Sequence, residues 1–322
     1  MVAAGGRGSV LVTGAGGFIG SRVVDRLAER GVDVLALVRP GSARGRLVPR
    51  PTAVRIVEAD FNDAGTVGAL LAEAAPGALV HLAWHTEPGR YLTDPGNLAD
   101  MTASLRLFEL AGQRGCRRVV GVGTCLEYDC SRGRLREDTP LAPRSPYASC
   151  KAALFLAGRE WARQRGVSFA WARIFYPYGP REDERRLVAS VATSLLAGRR
   201  VATTTGEQRR DYIHVDDVAD ALASIVLGDL EGAVNVGTGA APAVREIIAT
   251  IARTIGRADL VGFGERPSSP DEPAEIRADI GRLRRELGWR PSISLEQGLG
   301  ATIEWWRRNL GRDETIRVGA DG

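Results

Sequence analysis

Histidine occurs only three times and cysteine only four times in this 322-residue chain. Cys116, Cys125, Cys130 and Cys150 lack the paired spacing of a zinc site, and so few histidines do not complete one, so no metal site is expected. Reduced thiols in a cytoplasmic protein are the expectation. No apolar run approaches the length needed to span a membrane. The opening stretch, Met1 to Ser9, is small and glycine-rich and carries no apolar signal segment. Neither sign of charge dominates: 43 Lys and Arg face 39 Asp and Glu, and the net charge is only +4. Arg greatly outnumbers Lys, yet the basic residues are dispersed, which argues against a nucleic-acid surface. There is no fixed-period repeat and no low-complexity block. What remains is an ordinary globular composition, 44% hydrophobic and 25% charged. The chain is long enough for one large α/β unit or two domains.

The chain is organised around Val10-Leu11-Val12-Thr13-Gly14-Ala15-Gly16-Gly17-Phe18-Ile19-Gly20. A short β-rich run leads into three spaced glycines, and a helical pattern follows from Phe18 to Arg30. Gly14 permits a sharp turn, Gly17 lets backbone approach a pyrophosphate, and Gly20 lets helix pack closely on strand. The helix start offers unpaired N–H groups and a positive dipole end to phosphate. This strand–turn–helix context is what makes the glycine spacing a dinucleotide-binding signal. The second strand, Val32 to Val38, ends in Arg39-Pro40, where NAD-binding units carry an acid for the ribose hydroxyls. An Arg at that place suits a 2′-phosphate and points to NADP, with Arg44 and Arg46 as helpers.

Residues 41–53 read as a surface loop. Val54 to Val57 reads as a third strand ending near Asp60, which can accept a bond from an adenine amino group or cap the helix from about Ala64 to Ala75. Ala78 to Leu82 reads as a fourth strand, with His81 as a satisfied buried histidine. The loop from Ala83 to about Gly96 is expected to overhang the pocket, with Trp84, His85 and Glu87 as candidate substrate contacts. Leu98 to Arg114 is a helix, Val119 to Val122 a fifth strand, and Ser145-Pro146 opens a helix to about Arg165. Ser168 to Arg173 is a sixth strand. This alternation predicts a doubly wound parallel sheet of the Rossmann type. Ile174 to Pro180 is read as a break in regularity. Helices follow over Leu187 to Ala197, Arg245 to Ile255, Asp279 to Leu287 and Leu295 to Asn309, and Asp211 to Leu227 reads as a short extended piece and then a helix. Ala233 to Val236 is a further strand, and the tail from Gly311 is polar. Residues 1–173 with about 211–237 are assigned to a dinucleotide-binding domain. Residues 174–210 with 238–322 are assigned to a smaller, mixed α/β substrate-binding domain.

Tyr147 and Lys151 stand four apart on one helix and share a face. An ammonium beside a phenol favours phenolate, which makes Tyr147 a usable acid or base for a carbonyl–alcohol pair. Thr124, at a strand carboxyl end, can donate a hydrogen bond to the same oxygen. With these residues the chain resembles the extended short-chain dehydrogenase/reductase family, which contains nucleotide-sugar epimerases, dehydratases and ketoreductases. The resemblance rests on the glycine stretch, Asp60, His81-Leu82-Ala83, Thr124 with Tyr128, and Tyr147 with Lys151. It extends through Arg210-Asp211-Tyr212-Ile213-His214-Val215-Asp216-Asp217, Asn235-Val236-Gly237-Thr238-Gly239 and Leu287-Gly288-Trp289.

The resemblance implies Tyr147 as catalytic acid/base, Lys151 on the nicotinamide ribose and Thr124 on the substrate oxygen. It implies a cofactor along Gly14, Gly17, Phe18, Ile19, Gly20, Arg39, Asp60, Phe61, Leu82, Ala83, Tyr147, Lys151 and Pro177. It implies substrate contacts from His85, Glu87, Thr124, Tyr176, Arg210 and Arg266, the two arginines gripping a nucleotide diphosphate. A homodimer through a four-helix bundle of the helices near 98–114 and 145–165 is the family habit. Three departures narrow the reading. Cys125 and Leu126 stand where 4,6-dehydratases carry an Asp-Glu pair, Tyr176 replaces a frequent Asn, and Asp100 replaces another. With Arg39 in place of an acid, the expectation is an NADPH-dependent reductase of a nucleotide-activated keto sugar of the NDP-4-keto-6-deoxyhexose class. The alternatives are an NAD-retaining 4-epimerase, a reductase of non-sugar carbonyls, and a non-catalytic NADP-binding protein.

Overall fold

The computed structural model describes residues 8–41, 46–47 and 53–310. The expectations for Arg44, for the stretch up to Arg7 and for the tail from Gly311 lie outside them. The chain begins β1 (Val10–Thr13), α1 (Phe18–Glu29), β2 (Val34–Val38), β3 (Val54–Glu58), α2 (Ala64–Ala74), β4 (Ala78–His81) and α3 (Gly96–Gln113). It continues through β5 (Arg118–Thr124), β6 (Arg134–Leu135), α4 (Pro146–Arg165), β7 (Ser168–Ile174), β8 (Tyr176–Tyr178), α5 (Leu187–Leu196), β9 (Val201–Ala202), β10 (Arg209–Arg210) and β11 (Tyr212–His214). The last part is α6 (Val215–Leu227), β12 (Gly232–Val236), α7 (Val244–Ile255), β13 (Val261–Gly262), β14 (Glu275–Ala278), α8 (Gly281–Leu287) and α9 (Leu295–Asn309).

Seven strands form one parallel sheet in the order β12-β7-β5-β4-β1-β2-β3. β1, β2, β4 and β5 are buried along their whole length, as strands covered on both faces must be. Alternation along β1 sends Val10 and Val12 to one face with Val23 and Leu27 of α1 and Val218 and Leu222 of α6. Leu11 goes to the other face, among Val67 and Leu71 of α2, Leu107 and Phe108 of α3 and Leu154 of α4. The direction of winding changes between β1 and β4, the crevice where doubly wound sheets take their ligands.

Local chemistry sets the helix starts. The Ser145 hydroxyl accepts from the Ala148 N–H at 3.2 Å with Pro146 in the first turn of α4. Asp63, not Asp60, caps α2, accepting from Gly65 and Thr66. Asp60 instead accepts from the Asn62 amide N–H at 2.9 Å and its side-chain NH2 at 3.0 Å. The break expected over Ile174 to Pro180 contains β8, which pairs in parallel with β11. Pro177, which has no N–H to give, is tolerated there because the ribbon has only two strands. Val188, Val191 and Ala192 of α5, Ile247, Ile248 and Ile251 of α7, and Leu299 and Ile303 of α9 close a separate core.

Candidate active site

The glycine turn at the end of β1 is shaped by close approach. Gly14 has φ +65°, and a Cβ on it would lie 2.8 Å from the Ala83 nitrogen and 3.0 Å from the Leu82 carbonyl carbon. A Cβ on Gly20 would overlap the Gly14 carbonyl oxygen, so α1 seats directly against the turn. Gly17 is the N-cap of α1, with no side chain capping it and no acidic residue in the first turn. The positive end of α1, which starts at Phe18-Ile19, is therefore not neutralised locally. Thr13 ties the turn to β4: its hydroxyl accepts from the Leu82 and Ala83 N–H groups, each at 3.2 Å, and bonds His81 Nδ1 at 2.8 Å. His81 Nε2 meets Ser104 at 2.7 Å, and burial holds its pKa down at about 3, so it is a neutral structural ring. Phe61 packs edge-on against it. Arg46 reaches the Gly16 carbonyl at 3.5 Å and the Arg181 carbonyl at 3.3 Å, which sets it beside the turn.

Thr124 ends β5 and is buried. Its hydroxyl accepts from the Leu126 N–H at 3.3 Å, and its own N–H donates to Glu127 at 2.8 Å. Glu127 is held further by Trp171 Nε1 at 3.0 Å and by Arg173 Nε at 2.7 Å. A side chain on Gly123 would strike both Trp171 and Glu127. Lys151 Nζ donates to the Val122 carbonyl at 2.9 Å, two residues before Thr124, and lies 3.7 Å from the centre of the Trp84 ring. Trp84 is fixed in turn by Asn97 at 2.8 Å. Tyr147 is 9% exposed, with the Tyr91 ring edge-on at 4.9 Å and Trp84 at 6.2 Å. Its N–H donates to the Leu92 carbonyl at 3.1 Å, so the segment from Trp84 to Leu92 lies over the start of α4.

Burial, with smaller contributions from Tyr91, Glu127 and Cys125, raises the Tyr147 pKa well above that of a free phenol. Burial also pulls the Lys151 amine down to about 7, against the pull of Glu127 and Asp100.

The proposed substrate residues are dispersed. Glu87 is exposed and pairs with Arg185 at 3.2 Å. Tyr176 lies in β8 beneath the Arg210 guanidinium, 6.0 Å away. Arg210 is 5% exposed and already engaged, with Glu272 at 2.7 Å and the Pro273 carbonyl at 2.8 Å. Glu272 therefore stands beside the guanidinium that the sequence offers to a diphosphate. Arg266 is exposed on the loop after β13, its N–H donating to the Thr203 carbonyl at 3.0 Å. His85 meets Asp100 through Nδ1 and Arg39 through Nε2.

A family model described as the NAD dependent epimerase/dehydratase family matches residues 10–237. The chain belongs to that family. It is 34% identical over 316 residues to a UDP-glucose 4-epimerase of Mycolicibacterium smegmatis, covering 92% of this chain and 98% of that one. It is 33% identical to a dTDP-glucose 4,6-dehydratase of the same organism, covering 93% of each. Among solved structures, a dTDP-glucose 4,6-dehydratase of Streptomyces venezuelae with NAD bound superposes with a TM-score of 0.85 at 29% identity, covering 95% of this chain and 99% of that one.

The residues of this family member fit a dinucleotide. The turn at Gly14 and the close seat of Gly20 leave no room for a Cβ against neighbouring backbone, and the start of α1 that they hold has no side-chain cap, as a phosphate-binding helix start requires. Sequence reasoning missed Glu127, Tyr91 and the Asp100–His85 pair as parts of the site. One signal for Lys151 was available: it is the only lysine in a chain with 43 basic residues. Among the described residues no cluster of His, Cys, Asp and Glu suits a metal, and no helix is long and apolar enough to cross a membrane.

Proposed function

We propose that this chain is an NADPH-dependent ketoreductase acting on a nucleotide-activated keto sugar of the NDP-4-keto-6-deoxyhexose class. The observation that supports the reading is that Lys151 bonds the Val122 carbonyl two residues before Thr124, while Tyr147, one turn earlier on α4, is buried with its phenol pKa raised. A nicotinamide cofactor, when bound, supplies hydride to the carbonyl carbon. Tyr147 gives its proton to the carbonyl oxygen, and the Thr124 hydroxyl orients that oxygen. Lys151 and the glycine turn hold the cofactor, with Arg39 on the side of the extra phosphate and Asp60, Leu82, Ala83 and Pro177 along its length. Tyr176, Arg210 and Arg266 belong to the substrate side, in the part formed by residues 174–210 and 238–322.

Cys125 and Leu126 speak against dehydration, since neither can transfer the protons an elimination needs, and the neighbouring Glu127 is locked by Thr124, Trp171 and Arg173. The second reading is a nucleotide-sugar 4-epimerase that keeps its NAD, and the name of the Mycolicibacterium smegmatis relative favours it. Exposed Leu98 on α3 and Leu156 on α4 support a homodimer built on those two helices.

The deciding assay supplies NADPH with an NDP-4-keto-6-deoxyhexose, and separately UDP-glucose with no added cofactor. Oxidation of NADPH matched to a reduced sugar is the expected result. Epimerisation without added cofactor would transfer the assignment to the second reading. Tyr147→Phe is expected to cut turnover by about a thousandfold while leaving NADPH affinity in place.

A further inference from the structure

Arg39 follows β2 and His85 follows β4, and β1 with its glycine turn runs between those strands. Their side chains nevertheless meet across the mouth of the turn, with an Arg39 terminal nitrogen 3.4 Å from His85 Nε2. The other side of the imidazole is fixed. Asp100 of α3, 1% exposed, accepts the His85 backbone N–H at 2.8 Å and meets ring Nδ1 at 2.8 and 3.0 Å. A carboxylate only accepts, so Nδ1 carries the proton and Nε2 presents its lone pair to Arg39. Asp60 stands close to both. Its carboxyl sits below its usual range, chiefly through the Asn62 N–H bond, and His85 and Arg39 add to the lowering.

We propose that His85, anchored by Asp100, is the positioning residue for Arg39, and that this three-residue chain sets the preference for a phosphorylated dinucleotide. The inference rests on the dinucleotide reading and deepens it. Arginine carries a large rotamer entropy, and anchoring it in advance reduces what phosphate binding must cost. A guanidinium has five N–H donors, and the imidazole lone pair directs one of them. Asp60 makes that direction matter, because its carboxylate competes for the guanidinium and repels an added phosphate. His85 thereby moves from the substrate side, where the sequence placed it, to the cofactor side.

The test is titration of NADPH and NADH into wild type, His85→Ala, His85→Gln, Arg39→Ala and the Arg39→Ala/His85→Ala double variant. His85→Ala is expected to weaken NADPH about tenfold and to move NADH by less than about twofold. His85→Gln, whose amide oxygen can accept from Arg39, is expected to recover part of the loss. The double variant is expected to bind NADPH no more weakly than Arg39→Ala alone, as coupled residues do. Equal losses for both dinucleotides, additive losses in the double variant, or no loss in His85→Ala would each overturn the proposal. A wild type that prefers NADH and ignores Arg39→Ala overturns it while leaving the dinucleotide reading intact. A wild type that binds neither dinucleotide overturns that reading itself, and the proposal with it.

Discussion

Two groups of buried charge meet at the Thr124 turn, and they are built in opposite ways. Below the turn, Glu127 and Arg173 are 0% and 1% exposed and 2.7 Å apart. Glu127 also takes N–H bonds from Thr124 and Trp171, and Arg173 stacks between the Tyr128 and Phe155 rings at 4.4 and 4.8 Å. Above the turn, Lys151 has one carbonyl and one indole ring, and its amine is pulled down to about 7. A matched pair with its hydrogen bonds satisfied serves as a rigid floor. A buried base whose nearest partners are neutral changes charge near neutrality, which suits a residue that must respond when a cofactor arrives. The same turn thus carries its fixed charge on one side and its exchangeable protons on the other.

The sharpest way to break this contrast is Glu127→Gln. The variant leaves Arg173 buried beside a neutral group, and removal of one partner of a buried pair costs about 3–5 kcal/mol. Chemical denaturation measures the loss directly. A cost below about 1 kcal/mol, the range of surface pairs, would mean that the floor is not held by this ion pair.

A second carboxyl sharpens the point. Glu182 is 8% exposed, has a buried oxygen without a hydrogen-bond partner, and is pushed up to about 8 by burial, against the pull of Arg186. Its ordinary value is 4.5. The folded protein therefore prefers the neutral acid. Its contribution to stability is complete below about pH 4.5 and is lost as pH rises through about 8. Glu182→Gln stays neutral throughout. It is expected to match wild type in Tm at acidic pH and to exceed it at alkaline pH by about 5 °C or more. Equal melting curves across that range would place Glu182 in contact with water.

How far the chain could be read before folding follows from where partners lie in sequence. The parallel sheet was legible because strands such as Val34–Val38 and Ala78–His81 are short apolar runs separated by helical periodicity. The placement of Thr124, Tyr147 and Lys151 at a strand end and a helix start was legible because local chemistry defines both. The contacts of Arg210-Asp211 were not. Asp211 accepts from Thr238, Gly239 and Ala278, and Arg210 is bound by Glu272, all contacts made at long range. Those motif residues knit the chain to itself. Asp100 and His85 are 15 residues apart and meet only because α3 folds back beside the end of β4. Periodicity cannot reveal a pairing of that kind.

The finest test uses the scarcity of lysine. Lys151 is the only lysine in the chain, so selective isotopic labelling of lysine gives a single side-chain signal. Its titration is expected to centre near 7, more than three units below the 10.5 of a free amine. Glu127 and Asp100 both pull that value upward. In Glu127→Gln the midpoint is therefore expected to fall further, even as Arg173 below the turn keeps its charge. A midpoint that stays near 10.5 would show a hydrated Lys151, and the contrast between the two sides of the turn would disappear. A midpoint near 7 that ignores Glu127→Gln would keep the contrast but separate the two sides electrically, with burial alone setting the amine.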